Sequence, residues 1–476
     1  MNERHERIRL SEKIGYSLGD LGGNMAFQMM MIYQLKFYTD VFGLDGALAG
    51  TVLFVAPLLT AFVDPLVGIA TDRTHTRWGM YRPWVLWTAL PFCLFYVLAF
   101  FNPGIESKPL VALYATISYV LLLSVYSFNN TPYSSLGGVI TSDAHERTSL
   151  TSIRFVASTV AQFIVQGLTL PLVDHFGAGN AQRGWTTTIT LFGLVAVCCF
   201  VVTFLSTRER IAPPPQQTQN IRKDASTTFG NKAWCTMFFL TLLLFVTLAM
   251  FGSAVNYYFQ NYLDAGALST FLNQVGFSTS HSNAYSIGFS LFNTVNAVVQ
   301  LLGVLLLSGY MSDHLGKKTT YLLCLSLTTL FTALHFVPAP DDVAAIYALG
   351  LLKSLAYAPT VPLMWVMVAD VADYIEYQNG RRATGFCFSG IVFALKLGLG
   401  LGGALTGIIL SGFGYIPGAA AAQPASAVTG IRLAVSLVPA LLFGLATLTV
   451  AFYPITTDVN ERMQRTLEER RKTQTH

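Results

Sequence analysis

Twelve stretches of about 20 mostly apolar residues recur along the chain, centred near residues 28, 57, 92, 120, 162, 195, 247, 296, 328, 356, 398 and 440. A helix needs roughly 20 such residues to cross the hydrocarbon core of a bilayer. The expectation is therefore an all-α membrane protein with twelve transmembrane helices. Composition agrees: 53% of residues are apolar and 11% charged, against about 25% charged in an average soluble domain. The net charge of +4 is too small to signal a nucleic-acid partner. Cys93, Cys198, Cys199, Cys235, Cys324 and Cys387 all fall in apolar runs without metal-type or redox-type spacing, and read as small hydrophobes. The charged start, Met1 to Lys13, lacks the apolar region and cleavage site of a secretory signal peptide, so the N-terminus is expected to be kept.

The runs divide six and six. A polar segment, 207–232, containing Pro213-Pro214-Pro215 and Gln216-Gln217, separates 1–206 from 233–453 and reads as a cytoplasmic linker. Residues 454–476, rich in alternating charge between Glu461 and Lys472, read as a cytoplasmic tail with a surface helix. Arginine and lysine concentrate in the tails and even-numbered loops, among them Arg73, Arg77, Arg82, Arg147, Lys317, Lys318, Arg381 and Arg382, whereas odd-numbered loops hold Lys108, Arg183 and Arg432. That bias places both termini in the cytoplasm. Gly68, Asp72 and Arg73 are echoed roughly 240 residues later by Gly309, Asp313 and Gly316-Lys317-Lys318. Such glycines and basic residues also mark any cytoplasmic turn, but with the six-plus-six count they describe two pseudo-symmetric six-helix bundles, the parallel repeat of the major facilitator fold.

Against this apolar background a few polar groups stand out. Asp64 lies in the second apolar run, with Thr60 one helical turn away on the same face. Pro65 cannot donate back to the carbonyl of Ala61, which leaves that oxygen free. A charge at this depth costs at least ~2.5 kcal/mol on insertion scales, so Asp64 is a candidate functional group. Lys396, well inside the eleventh run, is its candidate counter-charge; the other reading is a lysine that snorkels to the interface. Asp20 and Asn24 are also i, i+4, in a segment where Gly19, Gly22 and Gly23 permit close helix approach. Carboxylates and amides offer the acceptors and donors that sugar hydroxyls need, and Arg154 offers a bidentate fork to an acidic sugar. Asp370, Asp373 and Glu376 recur every third residue ahead of Arg381-Arg382, and with Asp72, Arg73, Asp143 and Arg147 they suit an inner gate or, read singly, solvated loop charges. Pro65 and Pro132 are candidate kinks.

Four further stretches carry a family resemblance: Tyr16-Ser17-Leu18-Gly19-Asp20-Leu21-Gly22-Gly23-Asn24 with Phe37-Tyr38-Thr39-Asp40; Asp64-Pro65 through Arg77-Trp78-Gly79 and Arg82-Pro83-Trp84; Asn130-Thr131-Pro132-Tyr133-Ser134-Ser135-Leu136; and Val368-Ala369-Asp370-Val371-Ala372-Asp373-Tyr374. In this order they resemble the glycoside–pentoside–hexuronide:cation symporters, the major facilitator branch that contains the melibiose permease, over about Lys13 to Tyr453. The resemblance implies a cation-coupling set of Asp64, Thr60, Ser127 and Lys396, in which Asp64 matches a cation-binding carboxylate and Lys396 a lysine linking the cation and sugar sites. Thr60 stands where the permease has a second carboxylate, while Val63 and Ser127 replace an Asn and a Thr of its cation site. It also implies substrate contacts at Asn24, Asn130 and Arg154, to which Asp20 and Tyr133 are added as candidates. Asn24 and Asn130 replace two sugar-binding carboxylates; Gly23, Ser134 and Val361 replace a lysine and two tryptophans. The aromatic platform is missing at those positions, which makes melibiose itself a poor guess; Tyr126, Tyr133, Tyr257, Tyr258, Trp365 and Phe386 are the candidates to replace it.

The expected function is symport of a sugar or glycoside with a cation by alternating access in a bacterial inner membrane. With one acid kept and the Asn ligand replaced by Val63, a proton is the favoured coupling ion and sodium the alternative. Transport of a non-sugar solute such as a lysolipid, or a sensor that no longer transports, are the rival readings. No enzyme is expected: the eight histidines lie nearly all in loops or tails, show no metal-ligand spacing, and accompany no nucleophile–base pattern. No cofactor, metal or nucleic-acid partner is expected beyond solute, coupling ion and bilayer.

Overall fold

The computed structural model describes residues 8–61, 63–141, 144–210, 228–379, 384–418 and 423–474. Every one of the twelve expected centres lies in a helix. The first six crossings are α1 (Leu10–Ile32), extended by α2 (Gln34–Lys36) and a π turn; α3 (Gly46–Thr60) with α4 (Val63–Asp72); α5 (Arg82–Ala99); α6 (Lys108–Ile140); α7 (Ala144–Gly177); and α8 (Ala181–Ser206). Then come α9 (Lys232–Asn261), the short α10 (Ala265–Gln274), α11 (Ala284–Leu315), α12 (Lys317–Leu334), α13 (Val343–Tyr357) with α14 (Thr360–Asn379), α15 (Thr384–Gly412), α16 (Ala425–Val435) with α17 (Leu437–Ala451), and the tail helix α18 (Thr457–Gln474). Among the described residues, 9 helical segments are long and apolar enough to cross a membrane. The other three expected crossings fall on α1, which carries Glu12, Lys13 and Asp20; on the divided α3–α4; and on α12, which opens on two lysines.

Three crossings read as continuous are interrupted, and each break lies one turn before a proline. Pro65, Pro362 and Pro439 cannot donate to the carbonyls of Ala61, Ala358 and Val435, and the helices part at those places. Pro132, by contrast, sits inside α6, which runs on unbroken to Ile140.

Two compact units form. The first takes Met1–Pro215 together with Leu272–Thr294 and Gly407–Pro424; the second takes Gln216–Phe271, Val295–Thr406 and Ala425–His476. In the first unit α1 packs against α7 and α8. The turn between α4 and α5 is closed by the carboxylate of Glu209, which accepts from the amides of Met80, Tyr81 and Arg82 at 2.8, 2.8 and 2.9 Å. Gly79 has φ +110°, and a side chain there would strike that carboxylate, so the glycine is required twice over. Arg82 donates to the carbonyl of Phe204 at 2.6 Å and lies over its ring. Arg210 forks onto both oxygens of Glu12 at 2.7 and 2.8 Å. Residues 207–210, expected to open the linker, are therefore fastened to the first unit, while 211–227 lie outside the described residues.

In the second unit Trp234, Met237 and Leu240 of α9 pack with Tyr321 of α12, Met367 and Val371 of α14, and Phe443 of α17. The tail helix α18 buries Met463 and Leu467.

Candidate functional site

One polar cluster among the described residues of the first unit is built from three helices. Asp20 and Tyr16 share one face of α1 at i, i+4. Tyr133 comes from α6 and Arg154 from α7. The Arg154 guanidinium donates through Nη2 to Asp20 Oδ1 at 3.0 Å. Its face lies over both tyrosine rings, 5.0 Å from the Tyr133 centroid and 5.7 Å from that of Tyr16. The two rings are stacked, with centroids 4.8 Å apart. A cation so placed is held on one edge by a carboxylate and on its face by two quadrupoles.

Small residues make room for this arrangement. A Cβ at Gly19 would come 2.5 Å from the Tyr133 ring, and one at Gly137 would strike the Tyr16 hydroxyl. Gly19 thus serves ring packing and Gly22 the approach of α8, whereas a Cβ at Gly23, expected to serve helix approach, would meet nothing within 4 Å. Arg154 Nε is buried and has no hydrogen-bond partner among the described residues. The cluster accordingly retains donor capacity for an oxygen-rich solute.

The other candidates distribute as follows. Asn24 donates to its own helix at the carbonyl of Asp20, 2.9 Å away, which leaves its amide oxygen as acceptor. Ser127, Asn130 and Tyr133 follow at i, i+3 steps along α6; Ser127 is buried and Asn130 half-buried. Neighbouring Asn129 is structural, donating to Thr88 Oγ1 of α5 at 2.8 Å. Thr60 is buried at the end of α3 and donates to the carbonyl of Pro57 at 3.0 Å. Asp64 stands in the first turn of α4, but its side chain lies outside the described residues, as do those of Asp72 and Arg147 and the whole of Asp143. Lys396 is half-buried on α15 in the second unit, and its expected tie to Asp64 likewise falls outside what is described.

Of the acidic belt, Arg73 is exposed, while Asp370 is buried and receives Lys317 Nζ on both oxygens at 2.9 and 2.6 Å. Asp373 accepts from Gln464 of the tail helix at 3.3 Å, and Glu376 is half-buried on α14. Among the candidate aromatics, Tyr133 belongs to the cluster. Tyr257 and Tyr258 are fully buried in the second unit, where Tyr258 bonds the carbonyl of His335 and packs on Tyr262. Phe386 has no described side chain. Three participants were not singled out from the sequence: Tyr16, Glu209 and Lys317 as the partner of Asp370. Tyr16 was legible in principle, one turn before Asp20 in the same motif. No three His, Cys, Asp or Glu side chains among the described residues converge on a metal position.

Comparison with known proteins points the same way. The sequence profile described as MFS/sugar transport protein matches residues 15–457. A putative glycoside/cation symporter, YagG, of Escherichia coli K12 is 32% identical over 98% of this chain and 97% of its own length. An inner membrane symporter, YicJ, of the same organism is 35% identical over 95% of this chain and 94% of its own. Among solved structures, a D-xylose–proton symporter superposes with a TM-score of 0.62 over 93% of this chain and 97% of its own, at 14% identity, a likeness of fold. With helices at all twelve expected crossings and a profile match along nearly its whole length, this chain belongs to the MFS/sugar transport protein family and has the major facilitator fold.

Proposed function

We propose that this protein is a secondary active transporter that carries a sugar or glycoside together with a cation by alternating access, in a bacterial inner membrane with both termini in the cytoplasm, and that it performs no covalent chemistry. The observation that carries the reading is the Asp20–Arg154–Tyr16–Tyr133 cluster: a half-buried carboxylate paired with a guanidinium that lies over two tyrosine rings, inside an apolar helical unit. Charges at such depth persist for a function, and these side chains are the types that bind hydroxyl-rich solutes in water-excluded sites. The names of the relatives, a glycoside/cation symporter and an inner membrane symporter, support the same solute class and location. The proton is the proposed coupling ion, with Asp64 as its carrier, because the run around Asp64 holds one carboxylate and Val63 in place of an amide ligand.

The test is counterflow and uptake by the reconstituted protein against a panel of glycosides, with imposed sodium or pH gradients. The expected result is counterflow of at least one glycoside and accumulation driven by a pH gradient, lost in Asp64→Asn while counterflow persists. Accumulation that requires sodium and ignores the pH gradient overturns the proton assignment. Exchange of lysophospholipid with no glycoside counterflow overturns the sugar assignment.

A further inference from the structure

We infer that Asp20 is a proton-binding residue switched by the solute: when solute oxygens claim the Arg154 guanidinium, Asp20 loses its counter-ion and takes up a proton from water. This deepens the transporter reading above and rests on it. It adds to Asp64 a second acid, in the first unit, whose protonation is tied directly to solute occupancy.

The geometry carries the argument. Asp20 and Arg154 meet through one N–H to oxygen contact of 3.0 Å, so a competing oxygen has a single bond to displace. The two side chains keep only 13% and 26% of their accessible surface, so water does little to stabilise either alone. Arg154 has donor capacity to offer, since its buried Nε lacks a partner among the described residues, and its guanidinium rests beside two stacked rings that carry no competing charge.

Among the described residues Asp20 has no alternative counter-ion. The titratable groups facing it are Arg154 from α7, Tyr133 and Tyr126 from α6, and Tyr16 on its own helix. α8 presents Thr203, whose hydroxyl is bonded to the carbonyl of Gly15 at 2.8 Å. The other charges of α1 are already matched: Glu12 by Arg210 at 2.7 Å and Lys13 by Glu146 at 2.7 Å. A buried carboxylate stripped of its partner is more stable as the neutral acid. The balance closes without any other reactant: one N–H to carboxylate bond is exchanged for one N–H to solute oxygen bond, Arg154 keeps its proton, and Asp20 gains one. Departure of the solute returns Arg154 to Asp20 and expels that proton.

The experiment counts protons taken up per bound glycoside, by calorimetry of the purified protein in two buffers of different ionisation enthalpy. The glycoside is the one that gives counterflow. The background is Asp64→Asn, so that Asp64 contributes nothing to the count. One proton is expected per glycoside bound, and the glycoside Kd is expected to rise about tenfold per pH unit where the free protein has Asp20 ionised. Adding Asp20→Asn should remove both effects. Should that variant fail to fold, the infrared difference spectrum of the Asp64→Asn protein decides instead: glycoside binding should produce a new carboxylic-acid carbonyl band. Glycoside binding with no proton uptake and no such band overturns this inference and leaves the transporter reading standing. Absence of glycoside binding and counterflow altogether overturns the transporter reading itself.

Discussion

Tyr16 and Tyr133 hold each other by reciprocal hydrogen bonds: the Tyr16 hydroxyl donates to the Tyr133 carbonyl at 3.2 Å, and the Tyr133 hydroxyl to the Tyr16 carbonyl at 2.9 Å. The two bonds fix both rings, which keeps them within 5.0 and 5.7 Å of the Arg154 guanidinium carbon. Hydroxyl and ring have separable roles. Tyr16→Phe and Tyr133→Phe remove one neutral hydrogen bond apiece, a loss of about 1 kcal/mol each, and should lower the thermal midpoint in detergent while glycoside affinity stays within a few-fold. Tyr133→Leu removes a cation–π contact worth up to about 2 kcal/mol when desolvated, and the expected fall in affinity is tenfold or more. Affinity unchanged in Tyr133→Leu would detach the rings from the site.

Glu209 gives a second prediction. One carboxylate accepts from three successive amides of the turn that bears Arg77-Trp78-Gly79. Hydrogen bonds to a charged acceptor are worth about 1.5–3 kcal/mol, so Glu209→Ala should lower the thermal midpoint markedly. Glu209→Gln, which keeps one acceptor oxygen without the charge, should fall between it and the parent. Equal midpoints for all three would show that the Glu209 bonds add nothing to the turn beyond what Arg82 and the Thr76–Gly79 bonds supply.

These two places also show what the sequence could and could not disclose. The crossings were legible because each is a run of apolar residues of the length a bilayer demands, a property of the chain itself. The three breaks were only half legible: Pro65, Pro362 and Pro439 interrupt their helices, yet Pro132 does not, since the outcome depends on what packs around the freed carbonyl. Asp20, Arg154 and Tyr133 could be nominated from residue type and family likeness, but their meeting is a tertiary fact joining positions 134 residues apart. Glu209 stood in a segment that composition marks as linker, and its use lies in amides some 130 residues earlier. Likewise Lys317 looked like one more basic residue in a turn, because nothing local ties it to Asp370.

That pair supports a third prediction. Lys317 reaches both oxygens of Asp370, whose side chain is only 10% exposed. Removing the lysine leaves a buried charge unmatched, which typically costs about 3–5 kcal/mol, whereas removing both partners costs much less. Lys317→Ala should therefore destabilise more than the double variant Lys317→Ala, Asp370→Ala. Additive losses would mean that the two side chains do not depend on one another.

A last prediction concerns the close approach of α3 to the end of α15 within the first unit. A Cβ at Gly46 would lie 2.5 Å from the carbonyl oxygen of Gly407, and one at Gly407 would strike the carbonyl of Gly46 and reach 3.0 Å from Gly50 Cα. Nearby, Tyr415 donates to Asp40 Oδ1 at 3.0 Å, while Asp40 Oδ2 takes Lys36 at 2.8 Å. Two backbones that touch cannot admit a branched side chain without parting, because interiors are packed too densely to absorb one. Gly407→Val should therefore separate them and expose a thiol placed by Gly50→Cys to a polar maleimide, several-fold faster than in the Gly50→Cys parent. Asp40→Asn, which weakens the polar tie but leaves the glycine contact, should raise labelling less. Were Asp40→Asn to raise it as much as Gly407→Val, the polar tie and not the glycine contact would be what keeps the two segments together.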